Sequence, residues 1–369
     1  MRIGDKHYES IWTDKDDDSR INIIDQSKLP FSFEIVALKT VEDVHSAIKN
    51  MTLRGAPLIG AAAAYGMYLA CLEITVYTKT REHLRNAARY LMEARPTAVN
   101  PEWAVRKQLD NLAQHCRRDK LVSTSLKTAN AIAHEEKLSC KKIGEAGLDI
   151  IKDISKAKKG EPVNILTHCN AGWLACIDYG TATAPIYLAH DKGIKVHVWV
   201  DETRPRNQGS RLTAWELENH GVPYTLITDN AGGHLMQRGK VDMVITGSDR
   251  TSMRGDVANK TGTYLKALAA KHNNIPFYVA LPTSTIDRTI KDGLKEISIE
   301  ERDEKEVKYT EGLYNNNIVS VRICPENSRA VNYGFDITPA ELITALISEK
   351  GICRAEEKEI SKLFSEKKD

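Results

Sequence analysis

The stretch VNILTHCNAG, residues 163–172, decides the fold class, because a short apolar run stops there abruptly in polar and small residues. An apolar run of strand length bounded by turn formers is typical of a buried parallel strand. The residues that follow, 171–190, are compatible with a helix, which places His168, Cys169 and Asn170 on a predicted strand-to-helix turn. Parallel sheets bind ligands at the carboxyl ends of their strands. Cys169 is therefore a candidate nucleophile or proton carrier, and a cysteine that merely packs is the alternative.

From residue 163 onward, short apolar runs alternate with segments of helical length. The further predicted strands cover residues 195–200, 224–228, 241–246 and 275–280. The predicted helices between them cover residues 211–219, 231–237 and 259–272. This alternation predicts a parallel sheet with helices on both faces. A last helix is predicted over 338–350, because Thr338 suits the N-cap, Pro339 the first turn and Gly351 the end.

The first 154 residues have a different pattern. Residues 19–30 and 33–38 alternate apolar and polar side chains, as short half-buried strands do. Helical patterns follow up to residue 154, and the Ala-rich helix at 57–74 is apolar on nearly every side, which indicates a buried helix. We therefore expect an α/β protein of two domains, a small N-terminal β/helical domain (1–154) and a Rossmann-like domain (155–369).

Composition limits the possible partners and the compartment. The chain of 369 residues carries 52 Lys and Arg against 50 Asp and Glu, a net charge of +2, which predicts neither nucleic acid nor membrane as a partner. Its seven cysteines are odd in number and lack CxxC spacing, which favours reduced thiols, a cytoplasmic protein and no zinc. The N-terminus lacks the apolar segment of a signal peptide, which agrees with the cytoplasm.

A polar stretch follows the predicted strand 195–200. Residues 201–209, DETRPRNQG, are rich in hydrogen-bonding groups and suggest a polar ligand. Arg204 and Arg206 are candidates for phosphate oxygens and Gln208 for a sugar hydroxyl. An ion pair of one arginine with a nearby carboxylate is the alternative.

Two more polar clusters follow predicted strands or precede helices. Asp249 in GSDR, residues 247–250, comes directly after an apolar run, and a helix cap is the alternative role for its carboxylate. GDVANKTGT, residues 255–263, is a glycine-bearing loop that places Lys260 at a predicted helix start. It suits a phosphate without being a Walker A loop.

Other residues have weaker signals. Arg54 and Arg95 lie at helix breaks of the first domain, where they reach across a cleft or remain surface arginines. His168 and Cys169 are adjacent on a strand and point to opposite faces, which argues against a Cys/His dyad. The absence of GxGxxG argues against a dinucleotide. The charged segment 287–317 contains EERDEKE, residues 300–306, for which a solvated face is expected.

Six motifs in order resemble the methylthioribose-1-phosphate isomerase family over nearly the whole chain. They are RGAPLIG (54–60), RPTAVN (95–100), THCNAG (167–172), ETRPRNQGSRLTAWEL (202–217), GSDR (247–250) and GDVANKTGTY (255–264). The wider superfamily includes ribose-1,5-bisphosphate isomerases and the regulatory subunits of eukaryotic translation initiation factor 2B.

The resemblance implies a homodimer that isomerises an aldose 1-phosphate to a ketose 1-phosphate in a salvage pathway, without metal or nucleotide. It implies that Cys169 and Asp249 are the catalytic pair. The substrate-binding residues carried over by motif are Arg54, Gly55, Ala56, Arg95, Gln208, Asn259 and Lys260.

Two departures from the family pattern bear on the substituent at C5 of the sugar. The chain has GSDRT where GADRI is common, and NAGGHLM (230–236) where Ser and Ala are frequent. Both 5-methylthioribose 1-phosphate and 5-deoxyribose 1-phosphate fit, with a slight preference for the deoxy sugar. A ribose-1,5-bisphosphate isomerase and a non-catalytic regulatory subunit are the alternative functions.

The predicted mechanism requires a protonated Asp249, whose pKa burial would raise, as the acid for ring opening. Cys169 then either carries a proton between C2 and C1 or shapes the site for a direct hydride shift. A helix N-terminus and nearby arginines would lower the pKa of the Cys169 thiol and favour the proton route, whereas a bound phosphate acts in the opposite direction.

Overall fold

The computed structural model describes residues 1–95 and 98–365, so the end of the second predicted domain, 366–369, lies outside the described residues. The strands are β1 (Arg2–Ile3), β2 (Lys6–His7), β3 (Ile11–Thr13), β4 (Ile21–Ile24), β5 (Ile35–Leu38), β6 (Val163–Thr167), β7 (Val196–Asp201), β8 (Tyr224–Ile227), β9 (Met243–Thr246), β10 (Arg250–Ser252), β11 (Val257–Lys260), β12 (Phe277–Ala280), β13 (Ile286–Asp287), β14 (Tyr309–Tyr314), β15 (Asn317–Arg322), β16 (Phe335–Thr338), β17 (Ala345–Ser348) and β18 (Gly351–Cys353). The helices are α1 (Val41–Lys49), α2 (Ala56–Leu72), α3 (Thr80–Glu93), α4 (Val99–Leu112), α5 (Arg118–Ala157), α6 (Ala184–Asp191), α7 (Ala214–His220), α8 (Ala231–Gln237), α9 (Thr263–His272), α10 (Gly293–Glu296), α11 (Lys305–Lys308) and α12 (Glu357–Lys362).

A seven-stranded sheet with the order β18-β17-β12-β9-β6-β7-β8 forms the centre of the C-terminal half. Its neighbouring strands are parallel, except that β18 runs antiparallel to β17. From β6 the chain moves outward through β7 and β8 and then returns to β9 on the other side of β6. The carboxyl ends of β6 and β9 therefore flank a topological switch point, which is where open parallel sheets bind ligands.

The N-terminal part combines a small antiparallel sheet, β3-β4-β5, with the helices α1 to α5. Helix α1 begins with a capping box, in which Thr40 accepts from the Asp43 backbone and Asp43 accepts from the Thr40 backbone. Every residue of α2 from Ala56 to Cys71 is buried, as its Ala-rich apolar sequence predicts. Helix α5 packs against both α2 and α6, and the predicted domain boundary at residue 154 lies inside it.

The predicted helix at 338–350 is wrong. Thr338 ends strand β16, and Ala345–Ser348 form β17, which pairs in parallel with β12. All four residues of β17 are buried. A short apolar run that is buried on both faces has no periodicity that distinguishes a strand from a buried helix. Thr338, Pro339 and Gly351 resembled helix-end signals, and the prediction therefore chose a helix.

A second sheet, β13-β10-β11-β16, lies beside the carboxyl edge of the large sheet. It places Lys260 at the last position of β11, whereas the sequence predicted this residue at a helix start. Helix α9 begins only at Thr263, after Gly262 with φ of 107°. Segment 287–317 contains α10, α11 and most of the hairpin β14–β15. In the described residues, no helix combines the length and apolar character of a bilayer span.

The loop after β12, residues 281–285, is tied to α5 through a buried carboxyl group. Ser284 donates from Oγ to Glu136 Oε1 at 2.7 Å. The other oxygen, Glu136 Oε2, is buried and has no hydrogen-bond partner among the described residues. Burial raises the pKa of Glu136 from 4.5 to about 7. The carboxyl group is therefore partly protonated near neutral pH, where most glutamates are ionised.

This burial predicts that Glu136→Gln changes the pH dependence of stability. Because the folded-state pKa lies above the ordinary value, the folded protein binds an extra proton between these two values, and its free energy of unfolding falls as pH rises through them. The amide removes this fall, so the variant gains roughly 1–3 kcal/mol relative to the parent between about pH 5 and pH 8. Denaturant unfolding at both pH values measures it.

Glu135→Gln is the matched control, because Glu135 is the preceding residue on the same helix and is exposed. Its free energy of unfolding should track that of the parent at both pH values within about 0.5 kcal/mol. Parallel pH profiles for Glu136→Gln and the parent would contradict the prediction.

Candidate active site

Cys169 and Asp249 follow the neighbouring parallel strands β6 and β9 and line the same cavity at the switch point. The predicted site residues that line this cavity are Arg54, Gly55, Ala56, Cys169, Asp249 and Asn259. The cavity holds about 30 Å³ of open space. Typical ligand pockets begin at roughly 300 Å³, so the walls must move apart to admit a sugar phosphate.

The backbone of Cys169 is held in the left-handed region, with φ of 67°. Its N–H donates to Thr203 Oγ1 at 2.9 Å, and its carbonyl oxygen accepts from Thr213 Oγ1 at 2.7 Å. Both threonines are buried. These two hydroxyl groups stabilise a backbone conformation that few residues with side chains adopt, and this places the thiol at the cavity.

The predicted helix directly after Cys169 is wrong. A 3₁₀ turn, Trp173–Ala175, follows, and helix α6 begins only at Ala184. The sequence left the direction of the Cys169 pKa shift open. Burial raises the pKa of this thiol, and the charges of Arg54 and Lys260 oppose the shift without overcoming it. The thiol is therefore the resting form at neutral pH.

His168 is turned to other partners. Its Nδ1 lies 2.8 Å from Asp201 Oδ2, and its Nε2 lies 2.9 Å from the Thr261 carbonyl oxygen. This agrees with the expectation that the ring does not activate Cys169. His168, Asp201 and Asp229 are close enough to share a metal ion. The Lys266 ammonium, however, lies 3.0 Å from Asp201 Oδ2 and supplies positive charge to the cluster.

Asp249 is partly buried and precedes strand β10, so the helix-cap role considered for it is wrong. Its backbone N–H donates to the Ala258 carbonyl oxygen at 2.9 Å. Burial raises the pKa of the carboxyl group, and the charges of Arg95, Arg54 and Lys260 act in the opposite direction. The net shift favours the protonated acid that the mechanism requires.

Arg54 reaches the switch point from the turn before α2. Its Nη1 donates to Asn170 Oδ1 at 2.6 Å and its Nη2 to the Asn170 carbonyl oxygen at 2.8 Å. The next residue, Gly55, has φ of 110°, and a Cβ there would lie 2.3 Å from the Ala175 carbonyl oxygen. The motif therefore needs glycine, because the two chain segments touch at this point.

Arg95 and Lys260 are buried cations beside the cavity. Both lie over the Phe335 ring, at 5.9 Å for Arg95 Cζ and 5.7 Å for Lys260 Nζ from its centroid. Arg95 Nη2 pairs with Glu300 at 3.2 Å. Burial lowers the pKa of Lys260, while Cys169 and Asp249 oppose that shift. Both cations lie within electrostatic reach of Asp249, and Lys260 also lies within reach of Cys169.

The charged run 300–306 is not simply a solvated face. Glu300, Arg302 and Glu306 are largely buried, and Arg302 pairs with both carboxylates at 2.6 and 2.7 Å. Glu306 also pairs with Arg206 at 3.0 Å. The alternative role considered for the arginines of 201–209, a structural ion pair, thus describes Arg206, although its partner is distant in sequence.

Gln208 does not line the cavity of Cys169 and Asp249. It lies in a neighbouring cavity that shares Arg54 with the first. Gln208 is buried, and its Oε1 has no hydrogen-bond partner among the described residues. Arg204, expected to bind phosphate, instead donates to the carbonyl oxygens of Pro205 and Val307.

Sequence reasoning missed several residues of the wall. These are Pro57, Ala171, Ala175, Thr181, Ser248 and Pro282. Pro57, Ala171 and Ser248 belong to quoted motifs, and the others carry no local chemical signal. The second motif that differs from the family pattern, residues 230–236, contributes no residue to the described wall. Among the described residues of the wall, Ser248 is the one that differs from the family pattern.

A family model described as the initiation factor 2 subunit family matches residues 52–355. The chain belongs to this family. Curated relatives named methylthioribose-1-phosphate isomerase include one from Desulfatibacillum aliphaticivorans, 55% identical over 367 residues and covering 100% of both chains. Another, from Brucella anthropi, is 55% identical over 372 residues with the same coverage.

Solved structures give the same result. 5-Methylthioribose 1-phosphate isomerase from Pyrococcus horikoshii OT3 aligns with a TM-score of 0.82 and 36% identity, over 97% of this chain and 96% of that chain. Translation initiation factor eIF-2B subunit delta from A. fulgidus aligns with a TM-score of 0.78 and 38% identity, over 97% and 99%. The resemblance drawn from the motifs and the α/β fold class are confirmed.

The contact at Gly55 predicts that Gly55→Ala is far more damaging than an ordinary glycine substitution. The new methyl group would meet the Ala175 backbone, so the Arg54 turn must shift away from the sheet. We expect a loss of stability of at least about 2 kcal/mol beyond the conformational cost. Thermal and denaturant unfolding measure the effect.

Gly160→Ala is the control, because Gly160 also has positive φ, 84°, but has open space around its Cβ position. It should show the conformational cost alone, about 1 kcal/mol. Equal losses in the two variants would mean that the contact with Ala175 does not matter.

Proposed function

We propose that the protein is an aldose–ketose isomerase that converts 5-methylthioribose 1-phosphate to 5-methylthioribulose 1-phosphate, a salvage reaction. The observation that carries this proposal is the convergence of Cys169, Asp249 and Arg54 on one cavity at the switch point. The relatives that share the name and about half of the residues over their full length support it. Cys169 and Asp249 together favour an enzyme over a regulatory subunit.

The cavity wall supports an uncharged group at C5 of the sugar. Arg54 is the one cationic side chain among the described residues that line it, and one phosphate occupies one such anchor. Ala56, Pro57, Ala175 and Pro282 supply a small apolar surface. A ribose 1,5-bisphosphate would bring its second phosphate against this surface, where the described wall offers no second cation, since Arg95 and Lys260 lie beside the cavity and outside that wall.

5-Deoxyribose 1-phosphate is the second candidate substrate. Ser248, in place of the alanine common in the family motif, lines the wall, and the open space is small. The deoxy sugar carries only hydrogen at C5, which needs less room than a methylthio group. The names of the full-length relatives favour the methylthio sugar.

In the proposed binding mode, Arg54 and the backbone at Gly55 and Ala56 hold the phosphate. The start of α2 at Ala56 presents free N–H groups, which suit an anion. Arg95 and Lys260 add positive charge, and Asn259 faces the cavity. Gln208 lies in the adjoining cavity, where its unpartnered Oε1 accepts a hydrogen bond from a sugar hydroxyl in this binding mode.

Asp249 starts the reaction as an acid. The phosphate on the anomeric oxygen prevents ring opening by simple loss of a hydroxyl proton, so the ring oxygen must be protonated. Asp249 gives its proton to that oxygen, and the electron pair of the C1–O bond leaves with it. C1 becomes an oxocarbenium centre that the phosphate-bearing oxygen stabilises.

A hydrogen then moves from C2 to C1. In the hydride route it migrates with its electron pair, C2 becomes the carbonyl carbon, and the C2 hydroxyl proton returns to Asp249. In the proton route Cys169, as a thiolate, takes the C2 proton, and the electron pair of the C2–H bond forms the C1=C2 double bond of an enol. The thiol then protonates C1, C2 becomes the carbonyl carbon, and the C2 hydroxyl proton returns to Asp249. The raised pKa of Cys169 favours the hydride route, in which the thiol shapes and polarises the site.

Deuterium at C2 separates the two routes. We expect the label to be retained at C1 of the product, because the resting thiol is a poor base. Mass spectrometry of the ketose phosphate measures the label. Loss of the label to solvent water would assign proton transfer to Cys169.

The function is tested by ketose formation from 5-methylthioribose 1-phosphate, 5-deoxyribose 1-phosphate and ribose 1,5-bisphosphate side by side. We expect turnover of the first two and none of the third. Cys169→Ser and Asp249→Asn should each lower kcat roughly 10²–10⁴-fold with unchanged folding. Cys116→Ser, at an exposed cysteine, is the control. No turnover of any sugar, or an active double variant, would refute the proposal.

We further propose a cytoplasmic homodimer without nucleic acid as a partner. The near-zero net charge and seven free cysteines support the compartment and the lack of nucleic acid. Large exposed apolar side chains, Leu265 on α9 and Leu313 and Tyr314 on the hairpin, support a subunit contact. Sedimentation of the purified protein at twice the chain mass is the expected result, and a monomer would contradict it.

A further inference from the structure

Glu216 on α7 is a buried carboxylate with four hydrogen-bond donors around it. Asn170 Nδ2 and the Leu174 N–H donate to Oε1 at 2.9 and 3.0 Å. The Trp173 N–H and Tyr187 Oη donate to Oε2 at 3.1 and 2.7 Å. Burial raises the pKa of Glu216, and the four hydrogen bonds oppose this shift. Because all four neighbours donate, a carboxylate, which only accepts, fits this position better than an amide.

Asn170 stands between Glu216 and Arg54. Its amide nitrogen faces Glu216 and Thr213, and its amide and carbonyl oxygens accept the two hydrogen bonds from Arg54. A rotated amide would place its oxygen against the Glu216 carboxylate and its nitrogen against the Arg54 guanidinium. Glu216 therefore sets the one amide orientation that Arg54 can bind.

The loop between Asn170 and Leu174 rests directly on the same carboxylate. A Cβ at Gly172 would lie 1.8 Å from Glu216 Oε2, so the glycine is required for this approach. The first two of the three backbone N–H groups of the following turn, those of Trp173 and Leu174, donate to the carboxyl group. One buried carboxyl group thus fixes the path of the loop and the partner of Arg54.

We infer that Glu216 is a positioning residue for the phosphate anchor: it orients Asn170, and Asn170 aligns the Arg54 guanidinium toward the cavity. The inference rests on the proposed function insofar as Arg54 binds the substrate phosphate. Glu216 itself does not line the cavity. Its effect on Arg54 passes through Asn170, which contacts both residues, and this distinguishes it from a residue that merely supports the core.

The test is a double-mutant cycle with Glu216→Gln and Asn170→Ala. The amide group introduced by Glu216→Gln would face donors with its own NH2 group and hold Asn170 less firmly. Glu216→Gln should therefore lower kcat/KM roughly 10- to 100-fold. Most of the change should be a higher KM, because a misplaced Arg54 weakens ground-state binding of the substrate. The dissociation constant for inorganic phosphate, measured by calorimetry, should rise in parallel. In the Asn170→Ala background, Glu216→Gln should add almost nothing.

Glu218→Gln is the control, because Glu218 lies on the same helix and is exposed. It should leave both readouts unchanged. Should Glu216→Gln fail to fold, Tyr187→Phe replaces it. That variant removes one donor to Oε2 and spares the contact with Asn170, and we expect a smaller rise in KM that also vanishes in the Asn170→Ala background.

The outcomes separate this inference from the proposed function. An undiminished effect of Glu216→Gln in the Asn170→Ala background would overturn the positioning role. A parent protein that binds phosphate in a Glu216-dependent manner but isomerises no sugar would support the positioning role and refute the proposed reaction. A parent protein with neither turnover nor phosphate affinity would overturn both.

Discussion

The paired hydrogen bonds from Arg54 to Asn170 join the two halves of the molecule at the site. Arg54 precedes the buried helix α2, so the helical bundle sets its position, whereas Asn170 follows β6 and is set by the parallel sheet. The close contact of Gly55 with Ala175 reinforces this junction. The cavity therefore exists only when both halves are folded and packed against each other, because neither half supplies a complete wall.

Burial outweighs charge in setting the protonation states of the site. Three cations act on Asp249, yet its pKa is raised. The free-energy cost of transferring a carboxylate from water into the closed cavity exceeds the stabilisation that these charges provide. Lys260 shows the reverse shift for the same reason, since burial disfavours its charged form. Cys169 is likewise held as a thiol. The closed site thus favours neutral side chains.

The sequence allowed the strand exits to be predicted because they depend on local patterns. The apolar runs before Cys169 and Asp249 end in polar residues, and the strand alternation placed both at one sheet edge. The prediction that Lys260 lies at a helix start was wrong, because this residue ends a strand of a second sheet. The ion pair of Glu300 could not be predicted, because its partner, Arg95, is about two hundred residues away in sequence. Glu216 has no sequence signal, since only the folded loop brings four donors to it.

In the proposed function, the substrate phosphate completes the electrostatics of the site. Arg54 lines the cavity, and Arg95 and Lys260 lie beside it. Because burial raises the pKa values of Asp249 and Cys169, a dianionic phosphate is a suitable counter-charge for the three cations. A bound phosphate would oppose the lowering of the Lys260 pKa that burial causes. The same negative charge would act on the pKa of Asp249 in the same direction as burial, toward the protonated acid. In the proposed reaction, the phosphate group would both anchor the sugar and favour the protonated acid that opens its ring, so a phosphate at C1 that obstructs simple ring opening would assist the enzymatic one.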